Sequence, residues 1–376
     1  MLVVGGEVGL RTLAEFRPSV ILARPNGLGE ATVAAGRYPA GTVRYGFPVN
    51  STGHYDEEFV PKRPGERLVV TIGDSFSAGV VPHFYHFTTV AERRLDGAVT
   101  IDNMGVPAID PPGYLYLFLH EALPLHPDAV VVDLYLGNDV SYPLPPEENV
   151  VARAWLDRQN ILLLQVPRRL AKLAREGEGV RQGLAGERGG EAGSQFDTPE
   201  EIRRRLPWVE DPMLEHGTFN TRSYLDVERT RFERLAELDQ EGIARRLEPL
   251  LTMRRAARGI PVAVMLIPDQ MQVNDELWMS VRPPGATEEN RLASLALTRR
   301  WLEEHGFPYL DLYPLLRAVP PLSDGRRHVY HLRDTHFNAR GNQVAGEALA
   351  SFVEKLLGLP RSVGSELGSS AAPALP

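Results

Sequence analysis

Short apolar runs alternate with helical segments along most of the chain, and this alternation constrains the fold more than any other feature. Three of the runs are almost continuously apolar, which is typical of parallel strands covered by helices on both faces. Strand alternating with helix therefore predicts an α/β protein with an open, doubly wound parallel sheet. The predicted strands are Arg67 to Ile72, Val99 to Ile101, Ala129 to Leu136, Pro261 to Ile267 and Pro308 to Leu312.

The alternation fails between Val140 and Gln240. That region begins with a proline-rich stretch, continues as a basic amphipathic segment and then reaches a glycine-rich stretch, 177–193, which predicts a mobile loop. We interpret residues 140–240 as a mostly helical insertion that covers one end of the sheet and gates a pocket there. The predicted helices outside it are 77–95, 113–126, 241–258, 288–304 and 339–357, the last capped by Asn338.

The ends of the chain have a different character from its centre. Residues 1–64 are punctuated by glycine and proline and predict a segment that wraps the core. Residues 65–357 predict the α/β domain with its insertion, and residues 358–376 predict a disordered tail of small and polar residues.

Composition excludes several classes of function. The 376 residues include 41 basic and 49 acidic side chains, a formal net charge of -8, so no basic field is present to attract a nucleic acid. The absence of cysteine excludes disulfides, thiolate metal sites and a cysteine nucleophile. No run has the pattern of a signal peptide or a spanning helix, so we expect a soluble protein without an integral membrane segment. By default it is cytoplasmic, and it is extracytoplasmic if an N-terminal anchor was trimmed; its oligomeric state does not follow from the sequence.

Polar residues that suit acyl transfer follow the predicted strands. Because the carboxyl ends of parallel strands meet at one edge of a sheet, we expect these residues to meet there. The hydroxyl of Ser75 would attack a carbonyl carbon, and His336, oriented by Asp334, would take its proton. The N–H groups of Ser75 and Gly105 and the side-chain amide of Asn138 would bind the resulting oxyanion.

Plainer interpretations of the same residues exist. Ser75 could cap the helix that follows it, Asn138 could be an ordinary turn residue, and His336 could be a neighbour of a helix cap. Two histidine pairs, His83 with His86 and His328 with His331, have no supporting carboxylate pattern and are better candidates for pocket lining than for metal binding.

Four short sequence blocks contain these residues: GDSF around Ser75, NMGV around Gly105, GND around Asn138 and DTHFN around His336. Taken together, they resemble the four blocks of the SGNH hydrolases, also called GDSL-like lipases or esterases. The resemblance runs from about Arg67 to Leu357, less the insertion, and implies a three-layer α/β/α sandwich with a five-stranded parallel sheet. It also implies hydrolysis or transfer of ester-linked acyl groups without a metal or a cofactor.

One detail departs from the family pattern, in which the aspartate usually stands three residues before the histidine. Arg333 holds that place here, and Asp334 stands two residues before His336. The segments 46–59 and 267–270 resemble a bacterial branch in which some relatives transfer acetyl groups on polysaccharides. The expected substrate is therefore a small-molecule or carbohydrate acyl ester. An O-acyltransferase and an inactive carbohydrate-binding or scaffold protein are the alternatives.

Overall fold

The computed structural model describes residues 30–60, 62, 64–141 and 198–360. Residues 32–142 and 195–376 form one compact unit, and residues 1–31 and 143–194 form another. The second unit lies almost wholly outside the described residues, as do the basic segment, the glycine-rich stretch and most of the tail. Within the described ranges, no helix combines the length and the apolarity that crossing a bilayer requires.

A five-stranded, all-parallel sheet forms the centre of the first unit. Its strands lie in the order β2-β1-β3-β4-β5. The strands are β1 (Leu68–Gly73), β2 (Thr100–Gly105), β3 (Ala129–Tyr135), β4 (Val262–Ile267) and β5 (Tyr309–Asp311). A small antiparallel ribbon, Val43–Arg44 with Phe47–Pro48, is separate from this sheet.

Helices cover both faces of the sheet. They are α1 (Glu30–Gly36), α2 (Ser75–Ala78), α3 (Phe87–Arg94), α4 (Pro111–Leu117), α5 (Pro199–Arg205), α6 (Thr221–Ala236), α7 (Gln240–Ala256), α8 (Gln270–Val273), α9 (Asp275–Val281), α10 (Glu288–Glu304), α11 (Tyr313–Ala318) and α12 (Ala339–Leu357). Both α10 and α12 have the bounds that the sequence predicts, and Asn338 caps α12 by accepting a hydrogen bond from the N–H of Gly341.

Alternate residues of each strand pack into two separate hydrophobic clusters. Val70 and Val132 face the layer of α4, α6, α7, α9 and α10, whereas Val69 and Val131 face the layer of α3, α11 and α12. Burying one such side chain contributes about 1.5–3 kcal/mol relative to leaving it in water. The protein is thus a three-layer α/β/α sandwich with a five-stranded parallel sheet, which confirms the predicted fold class.

Two elements near Ser75 have bounds that differ from the predicted ones. The single helix expected at 77–95 is wrong, because Gly79 has a φ of 70° and Pro82 lies between α2 and α3. The second strand continues past Ile101 to Gly105 despite its polar side chains, because the parallel pairing with β1 continues. The side-chain amide of Asn103 is satisfied there, since Nδ2 donates to the carbonyl of Ser77 at 2.7 Å.

Part of the predicted insertion belongs to the core. Tyr224, Phe232 and Leu235 of α6 lie in the same hydrophobic cluster as the strands. The rest of the described insertion, from residue 198, is α5 followed by short 3-10 turns at Pro207–Val209 and Pro212–Leu214. The apolar face of α6 was the available sequence signal, but the failure of the strand alternation around it concealed its place in the helical layer.

The strand order changes direction between β1 and β3. The connection that leaves β1 goes to β2 on one side, and the chain then crosses to β3 on the other side. Loops that diverge in this way leave room between them at the carboxyl ends of the strands, which is where open α/β sheets bind ligands.

Candidate active site

Ser75 stands at the tight turn between β1 and α2. Asp74 caps this short helix, because its Oδ1 accepts a hydrogen bond from the N–H of Phe76 at 2.9 Å. Gly73 permits the close approach behind the turn: a Cβ at this position would lie 2.0 Å from Ser77 Oγ. The turn is therefore held by its own neighbours, and Ser75 itself does not supply the cap.

The serine, histidine and aspartate that the sequence nominates form one hydrogen-bonded chain. His336 Nε2 lies 2.8 Å from Ser75 Oγ, and His336 Nδ1 lies 2.6 Å from Asp334 Oδ1. A carboxylate only accepts, so Nδ1 carries the proton and Nε2 is free to accept the hydroxyl proton of Ser75. The imidazole thus has the tautomer that a general base needs.

Asp334 is ionised in this arrangement. Burial would raise the pKa of its carboxyl, but the hydrogen bonds that it accepts from the side chain and the backbone of His336 outweigh burial and lower the pKa to about 2. The same oxygen also accepts a hydrogen bond from the backbone N–H of His336 at 3.2 Å. Arg333, at the usual family offset, instead donates from Nε to the carbonyl of Phe219 at 2.6 Å.

Asn138 and Gly105 lie at the same turn. Asn138 Nδ2 donates to Asp74 Oδ2 at 2.8 Å, which leaves its second N–H for another acceptor. A Cβ at Gly105 would lie 2.2 Å from the backbone nitrogen of Ala78. Glycine is therefore the only residue type at position 105 that lets the end of β2 lie directly against α2.

Three buried carboxyl groups support the turn, and none of them is named in the sequence analysis. Ser77 Oγ donates to Asp133 at 2.7 Å, and the Tyr114 hydroxyl donates to Asp139 at 2.7 Å. Burial raises the pKa of Asp74, Asp133 and Asp139. An aspartate inside the apolar run of β3 was the signal that could have identified Asp133.

Phe76, the residue after the candidate nucleophile, packs between two other parts of the site. Its ring centroid lies 5.1 Å from that of His336 and 4.4 Å from that of Tyr135. The loop that bears His336 is closed by its own backbone, since the N–H of His331 donates to the carbonyl of His336 at 2.9 Å. The imidazole is thus fixed by packing as well as by hydrogen bonds.

The four remaining histidines of the sequence analysis have ordinary partners. His86 is buried and caps α3, and burial lowers its pKa to about 3. His83 pairs with Asp56 at 3.0 Å. His328 and His331 line a cavity of about 530 Å³, which neither Ser75 nor His336 lines. Among the described residues, no group of three or more potential ligands could hold a metal ion.

One family model matches the second part of the chain. Residues 229–371 match the family model described as SGNH hydrolase-like domain, acetyltransferase AlgX. The match covers less than half of the chain and includes Asp334 and His336 but not Ser75. No curated protein matches the sequence significantly.

Several solved structures are similar at low identity. The acetyl xylan esterase AlAXEase is 12% identical, and the alignment covers 76% of this chain and 99% of that chain with a TM-score of 0.38. A lipase/acylhydrolase from Enterococcus faecalis is 16% identical, with 77% and 96% covered and a TM-score of 0.35. A carbohydrate acetylesterase family member from Sinorhizobium meliloti is 13% identical, with 78% and 100% covered and a TM-score of 0.33. Similarities this weak do not transfer an activity.

Proposed function

We propose that this chain, whose residues 229–371 match the SGNH hydrolase-like family model, is a serine-dependent enzyme that acts on acyl esters and forms an acyl-enzyme on Ser75. The observation that carries the proposal is the hydrogen-bonded chain from Ser75 Oγ through His336 to Asp334, with distances of 2.8 and 2.6 Å. A serine that only capped a helix would not need this imidazole, and here Asp74 supplies the cap.

The chemistry begins with proton transfer from Ser75 to His336. The Oγ atom attacks the ester carbonyl carbon while Nε2 takes the hydroxyl proton, and the imidazolium is stabilised by the Asp334 carboxylate. Collapse of the tetrahedral intermediate breaks the bond to the alcohol, which leaves with the proton from Nε2. Water or a second hydroxyl then attacks the acyl-enzyme and gives its proton to Nε2. The bond between the acyl carbon and Oγ breaks, Nε2 returns the proton to Oγ of Ser75, and the acid or the new ester leaves.

The oxyanion would be bound by three donors. We assign this role to the N–H groups of Ser75 and Gly105 and to the side-chain amide of Asn138. Removing one such donor from an acyl-transfer enzyme costs about 2.7–4 kcal/mol of transition-state stabilisation. The second N–H of Asn138 Nδ2 supports its assignment, because Asp74 takes only one.

We assign a short acyl group on a carbohydrate, such as an O-acetyl ester, as the substrate class. The support is the resemblance of the sequence to the bacterial branch named above. O-acyl transfer is the second candidate function, and the description of the family model that matches residues 229–371, an acetyltransferase, favours it. Hydrolysis and transfer share every step up to the acyl-enzyme, so the site residues are the same for both.

The nucleophile is tested by the Ser75→Ala variant with p-nitrophenyl acetate and a fluorophosphonate probe. Wild-type protein should turn over the ester and become labelled, and the variant should do neither. Ser351→Ala is the matched control, because Ser351 is exposed on α12 and donates to the carbonyl of Glu347 at 3.1 Å. Turnover that survives in Ser75→Ala would refute the assignment. An unlabelled wild-type protein would favour the inactive scaffold.

Adding acceptor glycans to the same assay separates the two enzyme candidates. An acyltransferase should yield an acetylated glycan, detected by mass spectrometry, at the expense of free acetate. A hydrolase should release acetate at the same rate with and without the acceptor.

A further inference from the structure

We propose that Tyr135 and Arg231 are positioning residues that hold the Asp334–His336 pair in place through the side chain of Thr335. This inference rests on the proposed function, because it assigns Asp334 and His336 their catalytic roles. Thr335 stands between the two in sequence, and its hydroxyl has two partners of its own. Tyr135 OH lies 2.5 Å from Thr335 Oγ1, and Arg231 Nη1 lies 3.0 Å from the same oxygen.

The chemistry of the four groups fixes the direction of each hydrogen bond. A guanidinium only donates. Arg231 therefore donates to Thr335 Oγ1, and the Tyr135 hydroxyl donates to Asp269 Oδ2 at 2.8 Å. The remaining proton, on Thr335, is directed to the Tyr135 oxygen. Each of the three hydrogen bonds in this chain, which runs from Arg231 through Thr335 and Tyr135 to Asp269, therefore has one proton.

This chain ties together four separate parts of the fold. Tyr135 is the last residue of β3, three residues before Asn138, and Asp269 follows β4. Arg231 comes from α6 and Thr335 from the loop that precedes α12. The network therefore sets the position of the loop bearing His336 relative to the strand end that precedes Asn138.

Burial protects Tyr135 and Asp269 from competing water, whereas Thr335 and Arg231 are half-buried. Tyr135 is 1% exposed and Asp269 is fully buried. The Arg231 side chain is 15% exposed and also pairs with Glu228, whose side chain is 1% exposed. In such surroundings a polar group that loses its partner is not compensated by solvent. Removing the Thr335 hydroxyl would cost Arg231 and Tyr135 one hydrogen bond each, and the loop would lose the two hydrogen bonds that attach it to β3 and α6.

A small displacement of the imidazole is enough to affect the reaction. A shift of about 1 Å in a catalytic group costs roughly 100-fold in rate. Thr335 lies on the backbone directly between the two groups of the pair, so its release moves both. A misaligned imidazole slows the chemical step itself, and the loss should therefore appear in kcat and not in KM.

The test is the Thr335→Val variant, which keeps the shape of the side chain and removes only the hydroxyl. We expect kcat for p-nitrophenyl acetate to fall about 10- to 100-fold with KM within about twofold of wild type. Thr335→Ser restores the hydroxyl and should recover most of kcat. Thr298→Val is the matched control, because the hydroxyl of this buried threonine donates to the carbonyl of Ser294 in α10 at 2.8 Å, away from the site.

The NMR signal of the proton between His336 Nδ1 and Asp334 gives a readout that does not depend on turnover. It should shift or broaden in Thr335→Val and stay unchanged in Thr298→Val. A Thr335→Val protein with wild-type kcat and an unchanged signal would overturn the proposal, as would a loss that Thr335→Ser does not recover. If Thr335→Val does not fold, Tyr135→Phe makes the same test. A wild-type protein without probe labelling would count against the proposed function, and the NMR signal would still test the positioning.

Discussion

At the scale of single residues, the site depends on short-range contacts that exclude other side chains. The carboxylate of Asp334 lies 2.6 Å from Nδ1 of His336, and Gly105 fits because no Cβ is present to meet α2. The offset of two residues between Asp334 and His336 places both groups on one loop. The usual family offset would have given Arg333, whose side chain is directed to the carbonyl of Phe219.

Asp334→Asn should lower kcat on the order of 10³- to 10⁴-fold, because an amide does not hold the imidazole in the required tautomer.

The wild-type pKa of about 2 means that Asp334 stays ionised through neutral and mildly acidic solutions. A depressed pKa contributes stability that is present above the unfolded value of 3.8 and is lost as the pH falls through about 2. The pH–rate profile of wild type should accordingly show no step from Asp334 above about pH 4. Such a step, absent from Asp334→Asn, would contradict the geometry.

Gly105→Ala should destabilise the protein and abolish most activity. The new Cβ would lie 2.2 Å from backbone atoms of Ser77 and Ala78, so the turn that bears Ser75 has to move. Overpacking of this kind costs about 1–3 kcal/mol, measurable by urea unfolding. Gly242→Ala is the control, since the nearest atom to its Cβ would be 3.2 Å away. Equal stability of the two variants would show that β2 and α2 are not in close contact.

At the scale of elements, β2 and α3 bring together two carboxyl groups that the sequence did not single out. Asp102 of β2 is 6% exposed, and its Oδ2 is buried without a hydrogen-bond partner in the described part of the chain. Glu92 of α3 accepts a hydrogen bond from the N–H of Ile101 at 3.2 Å. Burial, followed by the charge of Asp56, raises the pKa of Asp102 to about 7, and burial raises that of Glu92 to about 7.

The free energy of unfolding should therefore fall as the pH rises from about 4 to about 7. The folded protein keeps protons on Asp102 and Glu92 in this range, whereas the unfolded chain, with model values of 3.8 and 4.5, has lost them. Asp102→Asn should flatten the profile, measured by urea unfolding across the range. Glu289→Gln, at an exposed position of α10, should leave the slope as in wild type. An unchanged slope in Asp102→Asn would show that its carboxyl is ionised in the folded state.

At the scale of the whole molecule, the range 140–240 contributes to the core and supplies Arg231, which donates a hydrogen bond to Thr335. Helix α6 lies within this range, packs in the larger hydrophobic cluster and contributes Arg231. A deletion that is meant to test gating must therefore leave residues 198–240 intact. The stretch 177–193, predicted from its glycines to be a loop, meets that condition.

Deletion of residues 177–193 should change the preference for acyl chain length by several-fold and leave p-nitrophenyl acetate turnover in place. The reason is the predicted role of the insertion as a gate over the sheet edge. The measurement compares kcat/KM for acetyl, butyryl and octanoyl esters in the deletion variant, in wild type and in a control truncated after residue 361. Identical ratios in all three proteins would rule out a gate in this stretch.

The sequence by itself determined the fold class, two of the helix ranges and the small set of residues worth testing. These follow from local properties of the sequence, namely the spacing of apolar residues, the capping residues, and the polar blocks that follow successive strands of a parallel sheet. Ser75 and His336 could be nominated together because both blocks follow strands whose ends share one edge. The assignment of their roles stays a proposal.

Only the tertiary structure decided which distant residues form hydrogen bonds with one another around Ser75 and His336. Tyr135 and Thr335 are 200 residues apart, and nothing in the local pattern of either predicts their hydrogen bond. Helix α6 belongs to the core although the alternation around it fails, since packing and not periodicity decides which apolar face is covered. Contacts between distant residues depend on the relative placement of finished elements, and that placement is the physical quantity that a local pattern does not contain.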